Sequence, residues 1–145
     1  LILVDEVYLR LEGRVEDVMS RSPVVIRKDE GLDRLVDIFK TYHYHGFPVV
    51  DENGKLAGIV RDTDVISIFA RKDPASPAYR KVEDVMHTPP LIIEETATIQ
   101  TAIMKMFADQ TRFLVVTDKA KNVVGVVTRI DLIKSIHVEK RPGTG

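Results

Sequence analysis

The stretch Gly125-Val126-Val127-Thr128-Arg129-Ile130-Asp131 decides how this chain is read. Gly125 to Val127 has the character of a buried strand, and Leu132, Ile133 and Ile136 beyond it mark one face of a helix. The hydroxyl of Thr128 and the carboxylate of Asp131 stand three apart at the junction. That is the spacing of a capping box, in which the two side chains satisfy orphan amides of the first turn. A fainter copy, Gly58-Ile59-Val60-Arg61-Asp62-Thr63-Asp64, lies 67 positions earlier, with arginine where the later copy has threonine.

Outward from these copies the chain repeats at one spacing. Val82-Glu83-Asp84-Val85-Met86 reproduces Val15-Glu16-Asp17-Val18-Met19. After it comes a short apolar strand, Val24 to Ile26 in the first unit and Leu91 to Ile93 in the second. Leu32, Leu35, Val36 and Phe39 then follow helical periodicity, as do Ile99, Ala102, Ile103 and Met106 after the N-cap candidate Thr98. A hairpin comes next: Phe47–Val50 and Leu56–Val60 joined through Asn53-Gly54, and Phe113–Thr117 and Val123–Val127 joined through Lys119–Asn122. Val65, Ile66 and Phe69 mark the closing helix of the first unit. One residue is expected to be lost and regained near the hairpin.

Each unit thus reads β-α-β-β-α and is too short to bury a comfortable core alone. The expected architecture is α/β, two such repeats packed through their sheets with pseudo-two-fold symmetry. The boundaries are a connector helix over 1–14, a first repeat over 15–73 and a linker over 74–80. A second repeat over 81–138 and a frayed tail over 139–145 complete the chain. The connector helix rests on Val4, Val7, Tyr8 and Leu11 at helical spacing, ended by Gly13.

Composition narrows the function classes. The 145 residues carry a net charge of −1, so no electrostatic footprint for nucleic acid or anionic membrane is visible. There is no cysteine, which excludes disulfides, thiolate metal sites and a cysteine nucleophile. No apolar run approaches the roughly 18–20 residues that span a bilayer. The chain begins at Leu1 without methionine, and we expect it to be a piece of something longer. Glycine-rich phosphate loops, Gly-x-Ser-x-Gly and His-Glu-x-x-His are all missing, so no enzyme activity is expected.

Two constellations carry chemistry. A helix N-terminus favours anions through its free amides and its dipole. There Asp131 can accept from a ribose diol while the Thr128 hydroxyl donates to a phosphate, and the bland alternative is the helix cap. Arg61 can meet a phosphate bidentately or stand in solvent, with Asp64 retained beside it. The second constellation is Tyr42-His43-Tyr44-His45-Gly46-Phe47-Pro48-Val49-Val50-Asp51. Tyr44 and His45 precede a strand and so lie on a rim, where a tyrosine ring can stack on a purine. His43 and His45 share a face if extended but have no third ligand, so no metal site is expected. The acids Glu16, Asp17, Glu83 and Asp84 sit in first helical turns and read as structural.

The repeated Val-Glu-Asp-Val-Met, the Phe-Pro-Val-Val-Asp strand and Gly-Val-Val-Thr-x-x-Asp together resemble a tandem pair of CBS domains, or Bateman module, over about Arg14 to His137. The resemblance implies a regulatory module for an adenine nucleotide (AMP, ADP or ATP, more rarely S-adenosylmethionine or NAD-type ligands), with no obligatory cofactor. It also implies a homodimer. Sites in this family are composite. One would use Val24, Tyr44 and His45 around the base, Thr128 for the phosphate and Asp131 for the ribose. A second, weaker site would use Leu91, Thr111, Arg61 and Asp64, where Arg61 replaces the family's Ser/Thr and Leu114 its frequent proline. The stretch Tyr44–Val50 is similar to the first CBS repeat of ClC-type chloride channels and transporters. That implies a cytoplasmic module tethered to the membrane through its parent. The rival expectations are a structural dimerisation module with empty clefts, and a regulatory module of a soluble enzyme.

Overall fold

The computed structural model describes residues 5–70 and 79–142. In each repeat a short strand feeds a helix, and the chain returns as an antiparallel hairpin. The first repeat has β3 (Ile26–Arg27), α2 (Leu32–Tyr42), β4 (Gly46–Val50), β5 (Leu56–Arg61) and α3 (Asp62–Ile66). The second has β6 (Ile92–Glu94), α4 (Ile99–Ala108), β7 (Phe113–Thr117), β8 (Val123–Thr128) and α5 (Arg129–Lys134). Most of the 74–80 linker expectation lies outside the described residues.

The β3 and β6 strands each pair parallel with the first strand of their hairpin, which itself is antiparallel. The residues of β4 and β7 are buried throughout. The helices dock by their apolar stripes, with Leu35 and Ile38 buried on α2, and Ile99, Ala102 and Met106 on α4. Thr98 caps α4 as expected, its hydroxyl accepting the Thr101 amide at 3.1 Å.

The hairpins correct one reading of the repeat. Gly46 faces Arg61 and Phe113 faces Thr128, and a bulge falls at Val49/Val50 in one and at Val116/Thr117 in the other. The spacing of 67 therefore holds through the hairpin, and no residue is lost. Pro48 corresponds to Val115, not to Leu114, and Gly46 to Phe113. Matching Phe47 with Phe113 misled by side-chain likeness, whereas the ladder follows the turn. Both turns are held alike: Asp51 accepts the amides of Asn53 and Lys55 at 2.8 and 2.9 Å, and Asp118 that of Asn122 at 2.9 Å. Gly54 and Lys121, also 67 apart, both take positive φ, 79° and 70°.

The repeats are interlocked rather than merely packed. The helical turn α1 (Val15–Val18) belongs to the first repeat in sequence but to the second in space. Its Val15 and Glu16 amides donate to Ala97 and Glu95 carbonyls, both at 2.9 Å. Val15 and Met19 are buried among Ile93, Ile99, Leu114 and Val127. Reciprocally, the short 3₁₀ turn Val82–Asp84 donates from Val82 and Glu83 to Glu30 and Lys28, and Val82 joins the core around Leu35, Phe47 and Val60. Each buried valine contributes about 1.5–3 kcal/mol.

Beyond each exchanged turn the chain pairs with the other repeat's hairpin. β2 (Ser20–Arg21) lies against β8, with Ser20 opposite Val126, and His87 bridges Ile59. Gly125 and Gly58 permit this close approach. A Cβ on Gly125 would stand 2.6 Å from the Ser20 carbonyl oxygen, and one on Gly58 2.8 Å from that of His87. What approaches each glycine edge is the chain's own backbone.

Two expectations at the ends are overturned. The segment Glu6–Leu11 is a strand, β1, not a helix, and the tail expected to fray from 139 forms part of β9 (Ile136–Arg141), its antiparallel partner. Val7, Leu9 and Leu11 alternate as well as Val7 and Leu11 recur, so the segment satisfied both periods. The partner strand decides between them. Leu1 to Val4 lie outside the described residues. The first repeat's closing helix also stops at Ile66 and continues as a 3₁₀ turn, Ser67–Ala70, leaving Ile66 and Phe69 exposed. Likewise Ile136 belongs to β9, and Ile133 on α5 is exposed.

Candidate functional site

A cleft of about 240 Å³ opens between the repeats. One wall is the chain leaving β2, from Ser20 to Val24. A second is the approach to β4, with Tyr44 and His45. The third comes from the other repeat, with Val126, Thr128 and Phe113. Four of the five expected residues, Val24, Tyr44, His45 and Thr128, thus share one cleft although 104 positions separate the first from the last. The strand-pairing exchange is what brings them together, because β2 reaches Val24 by running along β8.

Val24 is not itself in a strand, since β3 begins at Ile26. Ser22 before it holds a positive φ of 54°, which turns the chain along the cleft. Tyr44 is 56% exposed, and its ring stacks on Tyr42 with centroids 5.8 Å apart and tilts over Phe47 at the same distance. These contacts set the ring's plane at the rim. His45 Nδ1 lies 3.4 Å from Asp62 Oδ2.

Asp131 stands behind Thr128 rather than in the cleft wall. Its Oδ2 accepts the Thr128 amide at 2.9 Å and the Thr128 hydroxyl at 3.1 Å, while the Asp131 amide donates back to that hydroxyl at 3.3 Å. The capping box is therefore formed, and it is nearly buried, Asp131 being 8% exposed. The hydroxyl's one proton points at Asp131, and Asp131 Oδ1 takes no hydrogen bond among the described residues. A phosphate at Thr128 would compete with Asp131 as acceptor of that hydrogen bond, and Oδ1 is the oxygen left for a hydroxyl donor. Asp17, Asp64 and Asp84 make the same backward bond, to the amides of Arg14, Arg61 and Lys81 at 2.7, 2.8 and 2.9 Å. Asp17 and Asp84 thus fit the structural reading of the first-turn acids. The Arg80 and Lys81 amides, with Arg80 first, hold the Asp84 carboxyl below the usual carboxylate range.

The second, weaker site is assembled only in part. Leu91 is half-buried against two apolar clusters, its carbonyl accepting the Val115 amide at 2.9 Å. The Thr111 side chain is buried, with its hydroxyl donating to the Phe113 carbonyl at 3.0 Å. Arg61 folds back on Asp64 in a bidentate pair at 3.1 and 3.2 Å and reaches His87 Nδ1 at 3.4 Å. Arg61 and Thr111 do share a smaller cleft of about 210 Å³ with His45, but neither Asp64 nor Leu91 lines it. Sequence reasoning missed Arg21, Ser22 and Phe113 as cleft residues. Only the spacing of 67, carried through the hairpin, could have shown that Phe113 faces Thr128. Among the described residues no group of histidines and acids could hold a metal ion, and no helix is long and apolar enough to cross a membrane.

Comparison with known proteins now decides the family, because the CBS domain matches twice, over residues 15–71 and 82–138. The chain belongs to the CBS domain family. A curated relative is the inosine-5'-monophosphate dehydrogenase of Methanocaldococcus jannaschii, 26% identical over 83% of this chain but only 23% of that protein. The chain therefore spans about a quarter of that relative. The crystal structure of CBSX2 in complex with AMP superposes with a TM-score of 0.76 at 23% identity, covering 85% of this chain and 95% of that one. The CBS domain of the bacterial CNNM/CorC family Mg²⁺ transporter in complex with ATP superposes at 0.70 with 21% identity, covering 84% and 85%. At these identities the likeness is one of fold: a mixed α/β pair of CBS repeats.

Proposed function

We propose that this CBS pair is a non-enzymatic regulatory module that binds one adenine nucleotide in the cleft between Tyr44 and Thr128. The observation carrying this reading is that the cleft collects Val24, Tyr44 and His45 from one repeat and Thr128 from the other. The base lies against Val24 and Tyr44. The phosphate accepts a hydrogen bond from the Thr128 hydroxyl, and Asp131 Oδ1 accepts from the ribose. CBS structures that hold AMP or ATP support the ligand class. A ligand bridging two interlocked repeats favours one packing of the pair, and the attached protein responds to that shift.

The module works as a homodimer on this reading. Met104, Phe107, Ile130 and Ile133 are exposed on α4 and α5, a face suited to a second copy. The parent is a ClC-type chloride channel or transporter, a reading carried by Tyr44–Val50, with the module on the cytoplasmic side. Membrane helices encoded ahead of Leu1 would support it, and a soluble catalytic domain there would contradict it. The competing reading, a structural dimerisation module, draws on the capping box already closed between Thr128 and Asp131. Thermal melts separate the two. AMP, ATP or S-adenosylmethionine at about 100 times its Kd adds roughly 2.7 kcal/mol to stability. No shift with any of them at millimolar concentration would remove the nucleotide reading.

A further inference from the structure

At the repeat spacing of 67, the exposed helix faces of the two repeats compare residue by residue. Val36 is equivalent to Ile103, Ile66 to Ile133 and Phe69 to Ile136, so both faces carry the same apolar stripe. The flanks of the stripe differ. Met104, Phe107 and Ile130 on α4 and α5 stand where α2 and α3 have Asp37, Lys40 and Thr63, and all six are exposed. Between α4 and α5 runs a groove of about 240 Å³ that is apolar apart from Arg129.

The β1–β9 ribbon prolongs the second repeat's face. Ile136 lines the groove and pairs with Leu11, and Leu9 pairs with Val138. Directly opposed residues of an antiparallel pair project to the same side. Leu9, Leu11, Ile136 and Val138, with Val7, therefore form one apolar side. On the other side the charges are paired: Arg10 meets Glu139 at 3.1 Å, Arg141 meets it at 3.2 Å, and the Arg141 guanidinium lies 4.8 Å from the centre of the Tyr8 ring. Val7, Leu9 and Val138 are exposed, and a two-stranded ribbon is marginal until its apolar side packs on something.

We propose that the α4–α5 face and the apolar side of the ribbon form one self-complementary surface that takes a second copy of this chain, second repeat against second repeat. This rests on the homodimer reading above, fixes which repeats meet and brings the ribbon into the interface. In the opposite arrangement, second repeat against first, Met104 and Phe107 would lie against Asp37 and Lys40. Those two charges would lose water without gaining partners. A two-fold contact of each face with its own kind sets apolar flank on apolar flank. It also brings the first repeat's acid and base, opposite in sign, against a second such pair.

The chain has no cysteine, so one introduced thiol reports its own distance to the partner. Lys134→Cys and Ser67→Cys place it at equivalent, exposed positions beside the two faces. The full chain carrying each is treated with a short bismaleimide, alone and as an equimolar mixture after subunit exchange, and sedimentation measures the dimer constant. Each variant is expected to cross-link to itself, and the mixture to give mainly self-linked product. Leu9→Ser combined with Val138→Ser should weaken the dimer at least about tenfold. Both side chains are exposed, so the fold is kept. More mixed product than self-linked product would overturn the proposal while leaving the homodimer reading intact, as would no cross-link in a chain that sediments as a dimer. An unchanged dimer constant in the ribbon variant would overturn it as well. A chain that stays monomeric at high micromolar concentration removes the homodimer reading and the proposal with it.

Discussion

Two helix starts in this molecule share a backbone and a first-turn Asp, and differ in the side chain that meets that Asp. At both, an Asp three residues into the helix bonds back to the amide at its start, Asp64 to Arg61 and Asp131 to Thr128, at 2.8 and 2.9 Å. At Asp131 the neighbour is a hydroxyl, which leaves one carboxylate oxygen without a partner among the described residues. At Asp64 the neighbour is a guanidinium that takes both oxygens and reaches on to His87. The difference teaches that pseudo-symmetry of fold does not carry over to the sites. The frame is repeated, while the group that meets the Asp, a guanidinium in one and a hydroxyl in the other, is not.

The largest expected effect tests the shared frame. Gly125→Ala and Gly58→Ala should each cost about 1–3 kcal/mol, because a Cβ at either position drives into the exchanged backbone. Urea denaturation measures both. Similar losses keep the frame symmetric, and a loss at only one would show that a single exchange holds the repeats together. Next comes ligand affinity. Asp131→Ala should weaken nucleotide binding by about tenfold or more, near 1.4 kcal/mol, and Asp64→Ala by less than about twofold. Equal losses would mean the two starts are ranked wrongly. Tyr44→Ala should weaken purine nucleotides several-fold, and an unchanged affinity would remove the stacking role.

The smallest effect is on acid stability, where the two repeats should behave alike. Asp51 is held below the usual carboxylate range first by the Lys55 amide, and Asp118 first by the Asn122 amide. Because their folded values are depressed, the stability they contribute is present above the unfolded value of about 3.9. It is lost as the pH falls through the lower folded values. Asp51→Asn and Asp118→Asn should each flatten the acid limb of a stability–pH curve to a similar extent. A marked difference between them would break the equivalence of the hairpins.

Much of this was legible in the residues. The repeat of Val15–Met19 at Val82–Met86, the helical stripe from Leu32 to Phe39 and the hairpin turns are local patterns, and local physics reports them. Val24, Tyr44, His45 and Thr128 were legible as cleft residues through the family resemblance. What escaped was non-local. Nothing in Val15 or Val82 says which repeat's core will bury it, because an apolar side chain fits either. Glu6–Leu11 carries two periodicities, and only the partner strand Ile136–Arg141 chooses between them. Arg61 was legible as a departure from the family, but its folding back on Asp64 depends on the side chain's reach.

The central claim is that each chain holds one nucleotide, at Thr128 and not at Arg61. The stoichiometry of an isothermal titration of the chain with ATP tests it most directly. A ratio of one nucleotide per chain is predicted, whether or not the chain dimerises. A ratio of two per chain would contradict the account, since it would place a second nucleotide at the helix start where Arg61 is paired with Asp64.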